Sequence, residues 1–480
     1  MSADTPPVPP TPWPAPRAGA PVRGEVVVPA SKSLTNRLLL LAALADGPCL
    51  VINALESRDS ALMLAALEQL GAGVEHISDP AGTGEQAVRI TPLPLDQAAH
   101  PSAGHPSVAH APEVRVDCGL AGTVMRFLPA VAALTGRTVH FDGDPEARVR
   151  PMGAVLQGLA ELGVAVTGDA GSAPGGSSKP ASQAPSTLPF TLHSPGGLDG
   201  GEAAIDASAS SQFVSGLLLA APRMTKGLTL RHSGTSVPSL EHVEMTMTVL
   251  EQLGVTVSSP QPFTWRVEPG PIPAFTVRVE PDLSNAGPFL CAAAVTGGEV
   301  VMRGWPKTST QIGRRWTRLL ADFGAAISTT EEAGGETLTL TVRGPQRLTT
   351  PGTVDGTAEL TPTVAALAAL CEGETTFTSV AHLRGHETDR IAALAAEIRR
   401  LGGEAEETDD GFRVLSPISH GGLVRSYADH RMATFAAVLG LVVDEVEVED
   451  IGCTAKTMPT FPQLWQDLVS SGHSGDAETP

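Results

Sequence analysis

Basic, hydroxyl and amide side chains recur where predicted buried helices begin. Residues 30–37 read ASKSLTNR and lead directly into an apolar run. Ser31 or Ser33 can cap this helix, and the backbone N–H groups of its first turn then attract an anion. Lys32 and Arg37 add an ammonium and a planar guanidinium, the two groups best suited to phosphate and carboxylate oxygens. An ordinary capped helix fits this stretch about equally well. The choice between that and an anion-binding helix start depends on whether the pattern recurs.

Further stretches share this combination of polar residues with a helix start or a strand end. They are 121–126 (AGTVMR), 148–151 (RVRP), 210–212 (SSQ), 384–390 (RGHETDR), 429–431 (DHR) and 454–457 (TAKT). Each is weak alone, because a capping Ser or a helical Arg usually serves stability. Their recurrence at equivalent places in a repeat indicates helix starts that hold anionic ligands.

The elements that must position these residues follow a repeated pattern. Each copy has a polar helix start, an Ala/Leu-rich helix, a Gly turn, a β-branched strand and a second helix with a Leu-Gly-type stop. In the first copy the strand is predicted at 49–52 and the second helix at 60–70, closed by Gly71. About six copies follow one another at roughly 70–90 residues, more than a solenoid repeat needs. Each copy is therefore predicted to be a small α/β layer with its first helix buried.

Composition limits the ligands and the setting. The net charge of -20 excludes general binding to nucleic acid or to an anionic membrane, so an anionic ligand must be gripped locally. The five cysteines are widely spaced and form no C-x-x-C pair, which is typical of reduced thiols in a cytoplasmic protein without a disulfide framework or zinc site. No window is long and apolar enough to span a membrane.

Four stretches have a composition that cannot build a core. We predict a disordered Pro/Ala-rich tail at 1–20, surface inserts at about 92–112 and about 168–186, and a disordered end at 471–480.

Taken in order, the motifs resemble the 5-enolpyruvylshikimate-3-phosphate synthase family. The resemblance covers about residues 22–468 without the inserts, and six stretches carry it: 30–37, 121–126, 210–213, 386–390, 429–432 and 454–457. It implies the two-domain α/β enolpyruvyl transferase fold, with three βαβαββ units in each domain and buried helices surrounded by sheets, an inside-out α/β barrel. One domain would comprise 31–279, and the other 21–30 together with 280–470.

The resemblance also implies a reaction. The family transfers the enolpyruvyl group of phosphoenolpyruvate to the 5-hydroxyl of shikimate 3-phosphate and releases phosphate, a step of the shikimate pathway towards chorismate and the aromatic amino acids. The chemistry is an addition followed by an elimination, so it needs an acid and a base; Lys32, Glu359 and Glu387 are the candidates. It needs no metal and no other cofactor. The family precedent points to a monomer, and glyphosate is the inhibitor associated with the family.

The family's binding residues carry over by position. Shikimate 3-phosphate would contact Lys32, Ser33, Arg37, Ser210, Ser211, Gln212, Ser236, Glu359, His382 and His386. Phosphoenolpyruvate would contact Lys32, Gly122, Arg150, Gln212, Arg390, Arg431 and Lys456.

Several positions depart from the family pattern. Leu120 replaces a common Asn, Glu359 a common Asp, His382 a common Asn and His386 a common Lys. We hypothesise that protonation of His386 makes the affinity for shikimate 3-phosphate depend on pH near about 6 to 7. A KM for this substrate that is constant between about pH 6 and 8 would show that the hypothesis is wrong.

Two other functions remain open at this level. The first is enolpyruvyl transfer to UDP-N-acetylglucosamine on the same fold. The SKS and SSQ stretches suit a sugar-like phosphate better than a nucleotide, and no cysteine stands in a Gly-rich mobile loop. The second is a catalytically inactive relative that binds phosphorylated metabolites, for which the departures at Glu359 and His386 are the argument. Turnover separates both from the main prediction.

Overall fold

The structure is a computed structural model that describes residues 11–78, 85–95, 113–168, 185–385 and 387–471. Most of the two predicted inserts, the first half of the N-terminal tail, the end after residue 471 and His386 lie outside these residues.

The chain divides into two compact units. Ala30–Glu280 forms one, called here the central unit after its place in the sequence; Met1–Pro29 and Pro281–Pro480 together form the other, called the terminal unit. Each unit has its own hydrophobic core.

The described N-terminal residues contain two strands of the terminal unit, β1 (Trp13–Pro14) and β2 (Arg23–Val26). The central unit follows with twelve strands among its described residues. They are β3 (Cys49–Ile52), β4 (Gly73–Ser78), β5 (Gln86–Thr91), β6 (Val114–Asp117), β7 (Thr138–Asp142), β8 (Ala165–Gly168), β9 (Phe190–His193), β10 (Gly201–Ile205), β11 (Leu228–His232), β12 (Val257–Gln261), β13 (Thr264–Val267) and β14 (Thr276–Arg278). Its helices are α1 (Lys32–Ala43), α2 (Arg58–Leu70), α3 (Gly122–Ala132), α4 (Gly153–Glu161), α5 (Gln212–Ala220) and α6 (Glu241–Gln252), with a short 3-10 turn at Ala221–Arg223.

The terminal unit continues after residue 280. Its strands there are β15 (Glu299–Pro306), β16 (Ala326–Glu331), β17 (Thr337–Arg343), β18 (Thr353–Asp355), β19 (Thr375–Thr378), β20 (Glu404–Glu407), β21 (Phe412–Ser416), β22 (Gly422–Val424) and β23 (Val446–Val448). Its helices are α7 (Leu283–Thr296), α8 (Trp316–Asp322), α9 (Thr361–Ala368), α10 (Arg390–Arg400), α11 (His430–Gly440) and α12 (Phe461–Ser471). Four 3-10 turns lie at Ile312–Arg315, Ala358–Leu360, Ala381–Gly385 and Ile451–Lys456.

The predicted repeat is present as six small sheets. The orders are β14-β3-β5-β4, β6-β7-β9-β8 and β10-β11-β13-β12 in the central unit, and β16-β17-β15-β2, β18-β19-β21-β20 and β1-β23-β22 in the terminal unit. In the module from β6 to β9 the chain order is βαβαββ. Its first two strands run parallel and the last two add antiparallel. Among the described residues the sheets stay separate and do not join into one closed barrel.

The first helix of each module is the buried one, as the sequence predicts. α1, α3, α5, α7, α9 and α11 are Ala/Leu-rich and inaccessible over most of their length. Their close packing requires Gly216 in α5, because a Cβ there would lie 2.2 Å from the carbonyl oxygen of Arg126 in α3. Gly71, the predicted stop of α2, has a positive φ angle, and so do Gly163, Gly254, Gly324 and Gly402 after later helices.

The prediction of a disordered tail up to residue 20 is wrong for the residues that the structure describes. Trp13 pairs with Val448 in an antiparallel ladder, and Ala15 donates a backbone hydrogen bond of 2.9 Å to Val446. This segment completes the sheet of the last module, which has no hairpin of its own after β23 in the described chain. The Pro/Ala-rich composition suggested disorder and so concealed this strand. Proline is nevertheless compatible with an edge strand.

None of the described helices has the length and apolar character that crossing a bilayer requires. The five cysteines are free of disulfides in this structure, and four of them are buried.

Candidate active site

The start of α1 is built as the sequence predicts, with Ser31 as its cap. The Ser31 Oγ accepts a hydrogen bond of 3.4 Å from the Leu34 amide. Lys32 follows at the first helical position, and its Nζ lies 3.4 Å from Asp59 Oδ2. Asp59 lies in the first turn of α2 and is 4% exposed. The ammonium therefore has a buried counter-charge that holds it near the helix start.

Arg37, one turn further along α1, is almost completely buried. Its Nε donates to Thr246 Oγ1 at 2.8 Å, and its Nη2 donates to Ser215 Oγ and to the His242 carbonyl. Its guanidinium lies 5.1 Å from the ring centroid of Phe127. Burial lowers the pKa of Arg37 to about 9. The described contacts thus tie this guanidinium to neutral protein groups, and its contact with shikimate 3-phosphate stays a prediction.

The start of α3 brings together several of the predicted residues. A Cβ at Gly122 would lie 2.9 Å from Gln212 Oε1 and 3.1 Å from Arg150 Nη2, so any residue other than glycine would displace these groups. Arg126 Nη1 donates to Gln212 Oε1 at 2.8 Å, and Arg150 Nη1 donates to the Leu120 carbonyl at 2.9 Å. Gly122, Gln212 and Arg150 therefore form one cluster, as a shared ligand would require.

Arg126 belongs to this cluster although its motif alone gave it no role. It is 5% exposed and lies 5.2 Å from the ring centroid of Phe213. Burial and then the charge of Arg150 hold the pKa of Arg126 well below its usual range. Two guanidinium groups near each other with neutral acceptors make this a place where an anion would be strongly stabilised.

The predicted serines lie near the start of α5. Ser211 occupies the N-cap position and is buried, whereas the Ser210 Oγ accepts a hydrogen bond of 3.3 Å from the Gln212 amide. Ser236 is exposed in the loop after β11, and Ser33 is half-buried in α1.

The terminal unit holds a compact network of acids and bases around Glu387. Glu387 Oε1 lies 2.6 Å from Lys456 Nζ, and Glu387 Oε2 lies 3.2 Å from His430 Nδ1. Arg390 Nη2 lies 3.8 Å from the same carboxylate. Three separate stretches of the predicted site, 384–390, 429–431 and 454–457, are therefore joined by one side chain.

A second carboxylate completes the network. Asp429 caps α11 and accepts from the Arg390 Nε at 2.7 Å and from the Arg390 Nη2 at 3.1 Å. Arg390 and Asp429 are 2% and 0% exposed, so this bidentate pair is fully desolvated. Such a pair depends on both partners, because either charge alone would be buried without compensation.

The charges of the network set the protonation of its members. Burial opposes ionisation of Glu387, but His430, Lys456 and Arg390 outweigh it and hold the pKa of this carboxyl well below its usual range. Burial lowers the pKa of His430, with Glu387 acting against it. Burial also lowers the pKa of Arg390, but Asp429 and Glu387 raise it further than burial lowers it.

The remaining predicted residues of this unit lie close to the network in the sequence or in space. Glu359 is half-buried in the turn Ala358–Leu360, and its Oε1 accepts from Ser284 Oγ at 3.4 Å. Burial lowers the pKa of Arg431, with Glu359 acting against it and Arg390 adding to it. His382 is half-buried in the turn Ala381–Gly385, and His386 lies outside the described residues.

Glu387, Asp429 and His430 lie close enough together to hold a metal ion. Their oxygens are, however, the acceptors of Arg390 and Lys456. A metal ion would have to displace these protein cations, so the arrangement fits an anion-binding network better than a metal site.

Sequence reasoning missed the residues that hold the predicted ones in place. Asp59 had no motif around it, and Asp429 and His430 were recognised only as part of the DHR stretch. A Lys at a helix start is a signal to seek an acid at the start of a neighbouring helix, which describes Asp59.

Comparison with known proteins identifies the family. The sequence model of EPSP synthase (3-phosphoshikimate 1-carboxyvinyltransferase) matches residues 16–465. This chain belongs to the EPSP synthase family. A 3-phosphoshikimate 1-carboxyvinyltransferase from Kocuria rhizophila is 50% identical over 462 residues, which are 96% of this chain and 97% of that protein. The predicted family and enzyme class are confirmed.

Solved structures support the fold. EPSP synthase from Acinetobacter baumannii superimposes with a TM-score of 0.71 at 23% identity, covering 95% of this chain and 97% of the other. The enolpyruvyl transferase NikO from Streptomyces tendae gives a TM-score of 0.65 at 17% identity, covering 94% and 96%. The predicted enolpyruvyl transferase fold is confirmed.

Proposed function

We propose that this chain transfers the enolpyruvyl group of phosphoenolpyruvate to the 5-hydroxyl of shikimate 3-phosphate, giving 5-enolpyruvylshikimate 3-phosphate and phosphate. The observation that carries the proposal is the Glu387 network, in a chain of the EPSP synthase family. It combines an ionised carboxylate with Lys456, Arg390 and the imidazole of His430. These are the groups that moving a proton beside a phosphate requires.

The phosphoenolpyruvate contacts are proposed for two sets of residues. In the central unit they are Lys32, Gly122, Arg150 and Gln212; in the terminal unit they are Arg390, Arg431 and Lys456. The clustering of Gly122, Gln212 and Arg150 supports the first set, and the shared carboxylate Glu387 supports the second.

The shikimate 3-phosphate contacts are proposed by position in the family. They are Lys32, Ser33, Arg37, Ser210, Ser211, Gln212, Ser236, Glu359, His382 and His386. The buried position of Ser211 at a helix start supports a phosphate contact through its backbone amide. The burial of Arg37 favours a contact that forms only after a local rearrangement.

Lys32, Glu359 and Glu387 are proposed to carry the proton transfers. The low pKa of Glu387 keeps its carboxylate ionised in the unliganded protein but makes it a weak base there. A phosphate bound to Lys456 and Arg390 would offset their positive charge and raise the proton affinity of Glu387, so the group can then accept a proton and donate it in a later step. The addition and the elimination each need such a step.

A cytoplasmic, monomeric enzyme of aromatic amino acid biosynthesis, without a metal or other cofactor, is the setting we propose. Reduced, mostly buried cysteines support it. Gly122 and its cationic neighbours also make glyphosate, an anionic compound, a proposed inhibitor.

Phosphate release tests the proposed function. Purified protein is mixed with phosphoenolpyruvate and shikimate 3-phosphate, and a parallel mixture contains UDP-N-acetylglucosamine instead. We expect release only with the shikimate compound. Release only with the nucleotide sugar would keep the fold and overturn the acceptor, and binding without release in either mixture would favour an inactive relative.

A further inference from the structure

The turn before α11 holds two consecutive non-glycine residues in the left-handed region. Tyr427 and Ala428 both have a φ of 53°. Residues with a Cβ seldom adopt this conformation, and it persists only where surrounding contacts impose it. Asp429 follows immediately, caps α11 and binds Arg390. The unfavourable backbone thus lies directly before the residues that complete the Glu387 network.

Glu397 of α10 supplies contacts that hold this turn. Its side chain is 0% exposed, although carboxylates are rarely buried without a purpose. Its Oε1 accepts from the Tyr427 hydroxyl at 2.7 Å, and its Oε2 accepts from the Arg425 amide at 3.2 Å. Arg400 supplies a counter-charge at 3.0 Å. Burial, and then the bond to Glu397, raise the pKa of Tyr427 to about 12, so the phenol stays a hydrogen-bond donor.

Helix α10 therefore contacts the turn before α11 at two points. Arg390 in its first turn binds Asp429, and Glu397, about two turns later, binds Tyr427. From the other side Glu449 accepts from the Ser426 amide at 3.0 Å. A rigid helix with two attachment points fixes both the position and the rotation of the turn.

We propose that Glu397 and Tyr427 are positioning residues of the active site, which hold the turn so that His430 meets Glu387 and Arg431 takes its place for phosphoenolpyruvate. The proposal rests on the function proposed above. Neither residue contacts the reacting atoms; both act through Asp429, His430 and Arg431.

The sequence offers a direct probe, because Tyr427 is its only tyrosine. Protein grown with tyrosine labelled with 13C at the ring Cζ gives one signal, and its chemical shift reports on the hydroxyl bond. We expect Glu397→Gln to move this signal. Glu332→Gln is the control, because Glu332 likewise accepts from hydroxyl and backbone amide donors, which are those of Thr337, Thr339 and Gly304. It should leave the signal in place.

Steady-state kinetics provide the functional test, with Tyr427→Phe as the main variant because it keeps the ring and removes only the hydroxyl. We expect kcat to fall about tenfold and the KM for phosphoenolpyruvate to rise about threefold. The KM for shikimate 3-phosphate should stay within about twofold of wild type. Glu397→Gln should move the same parameters in the same direction if it folds, and Glu332→Gln should move none of them.

Two results would overturn the proposal. One is a Tyr427→Phe protein with wild-type kcat and KM values. The other is a Tyr427→Phe protein whose KM values rise equally for both substrates together with early unfolding, which is the result of general destabilisation. Absence of turnover in the wild-type protein would instead refute the proposed function itself, and this inference with it.

Discussion

Two buried arginines of the central unit and one of the terminal unit are held in opposite ways. In the central unit Arg37 and Arg126 donate to hydroxyl, amide and carbonyl oxygens, and burial lowers the pKa of both. In the terminal unit Arg390 donates to the carboxylate of Asp429, and its pKa is raised. The buried guanidinium of Arg390 is thus compensated by a carboxylate, whereas those of Arg37 and Arg126 are held by neutral dipoles.

This difference indicates how each unit would respond to an anionic substrate. An anion bound near Arg126 would compensate a positive charge that burial has removed from water. Around Arg390 the charges are already balanced, so an anion would shift proton affinities within the network, above all at Glu387. We infer that the central unit contributes mainly binding and the terminal unit mainly proton transfer.

Breaking the balanced pair should have the largest effect. Asp429→Asn keeps the shape of the cap but removes the carboxylate that lies 2.7 Å from the buried Arg390, so we expect a loss of about 3–5 kcal/mol in the free energy of unfolding. Chemical denaturation measures it. Asp444→Asn is the control, because Asp444 pairs with Arg17 at the surface; it should change stability by less than about 1 kcal/mol. Equal losses in both variants would remove the contrast between the units.

Removing a cation from the central unit should instead affect catalysis more than stability. Arg126→Met retains much of the volume and removes a buried charge that has neutral partners, so the free energy of unfolding should change by less than about 1.5 kcal/mol. The value of kcat/KM for phosphoenolpyruvate should fall about 10- to 100-fold, as for the loss of a charged hydrogen bond. A stability loss as large as in Asp429→Asn would contradict this.

A methyl group added at Gly122 would crowd the cluster of Gly122, Gln212 and Arg150 without removing a charge. It therefore tests whether the central unit contributes mainly to binding. In Gly122→Ala the new methyl group would meet Gln212 Oε1 at 2.9 Å and Arg150 Nη2 at 3.1 Å. We expect the KM for phosphoenolpyruvate to rise about tenfold, which corresponds to about 1.4 kcal/mol. The control is Gly270→Ala, in the same unit, where a methyl group meets nothing within 4 Å. A higher KM in both variants would argue against a local clash.

The smallest expected effect is the pH dependence of the balanced network. The folded pKa of Glu387 lies below the unfolded value of about 4.3, so its contribution to stability is complete above that pH. It is lost as the pH falls through the folded pKa. The stability of wild type minus that of Glu387→Gln should therefore be constant from about pH 7 to 6 and shrink below about pH 5, by about 1.4 kcal/mol for each unit of pKa difference. Denaturation between about pH 3 and 7 measures this, and a constant difference would contradict it.

Local signals in the sequence predicted the elements well. The strand at 49–52 was predicted with its observed bounds, and α2 extends only two residues further towards the N-terminus than predicted. Ser31 caps α1 as one of two candidates. These features depend on residues within one turn of each other, so a short window contains their causes. The prediction of a disordered tail failed at Trp13 because this strand is stabilised by β23, more than 400 residues away in the sequence.

The sequence by itself determined the repeats, the helix starts, the family and the residue types available for chemistry, because each of these is written in periodicity or in short motifs. Only the tertiary structure decided which charges meet: Lys32 with Asp59, Arg390 with Asp429, and Glu387 with both His430 and Lys456. The partners come from different elements, and Coulomb energies at 3 Å depend on packing rather than on sequence spacing. The same packing buried Arg37 and Glu397.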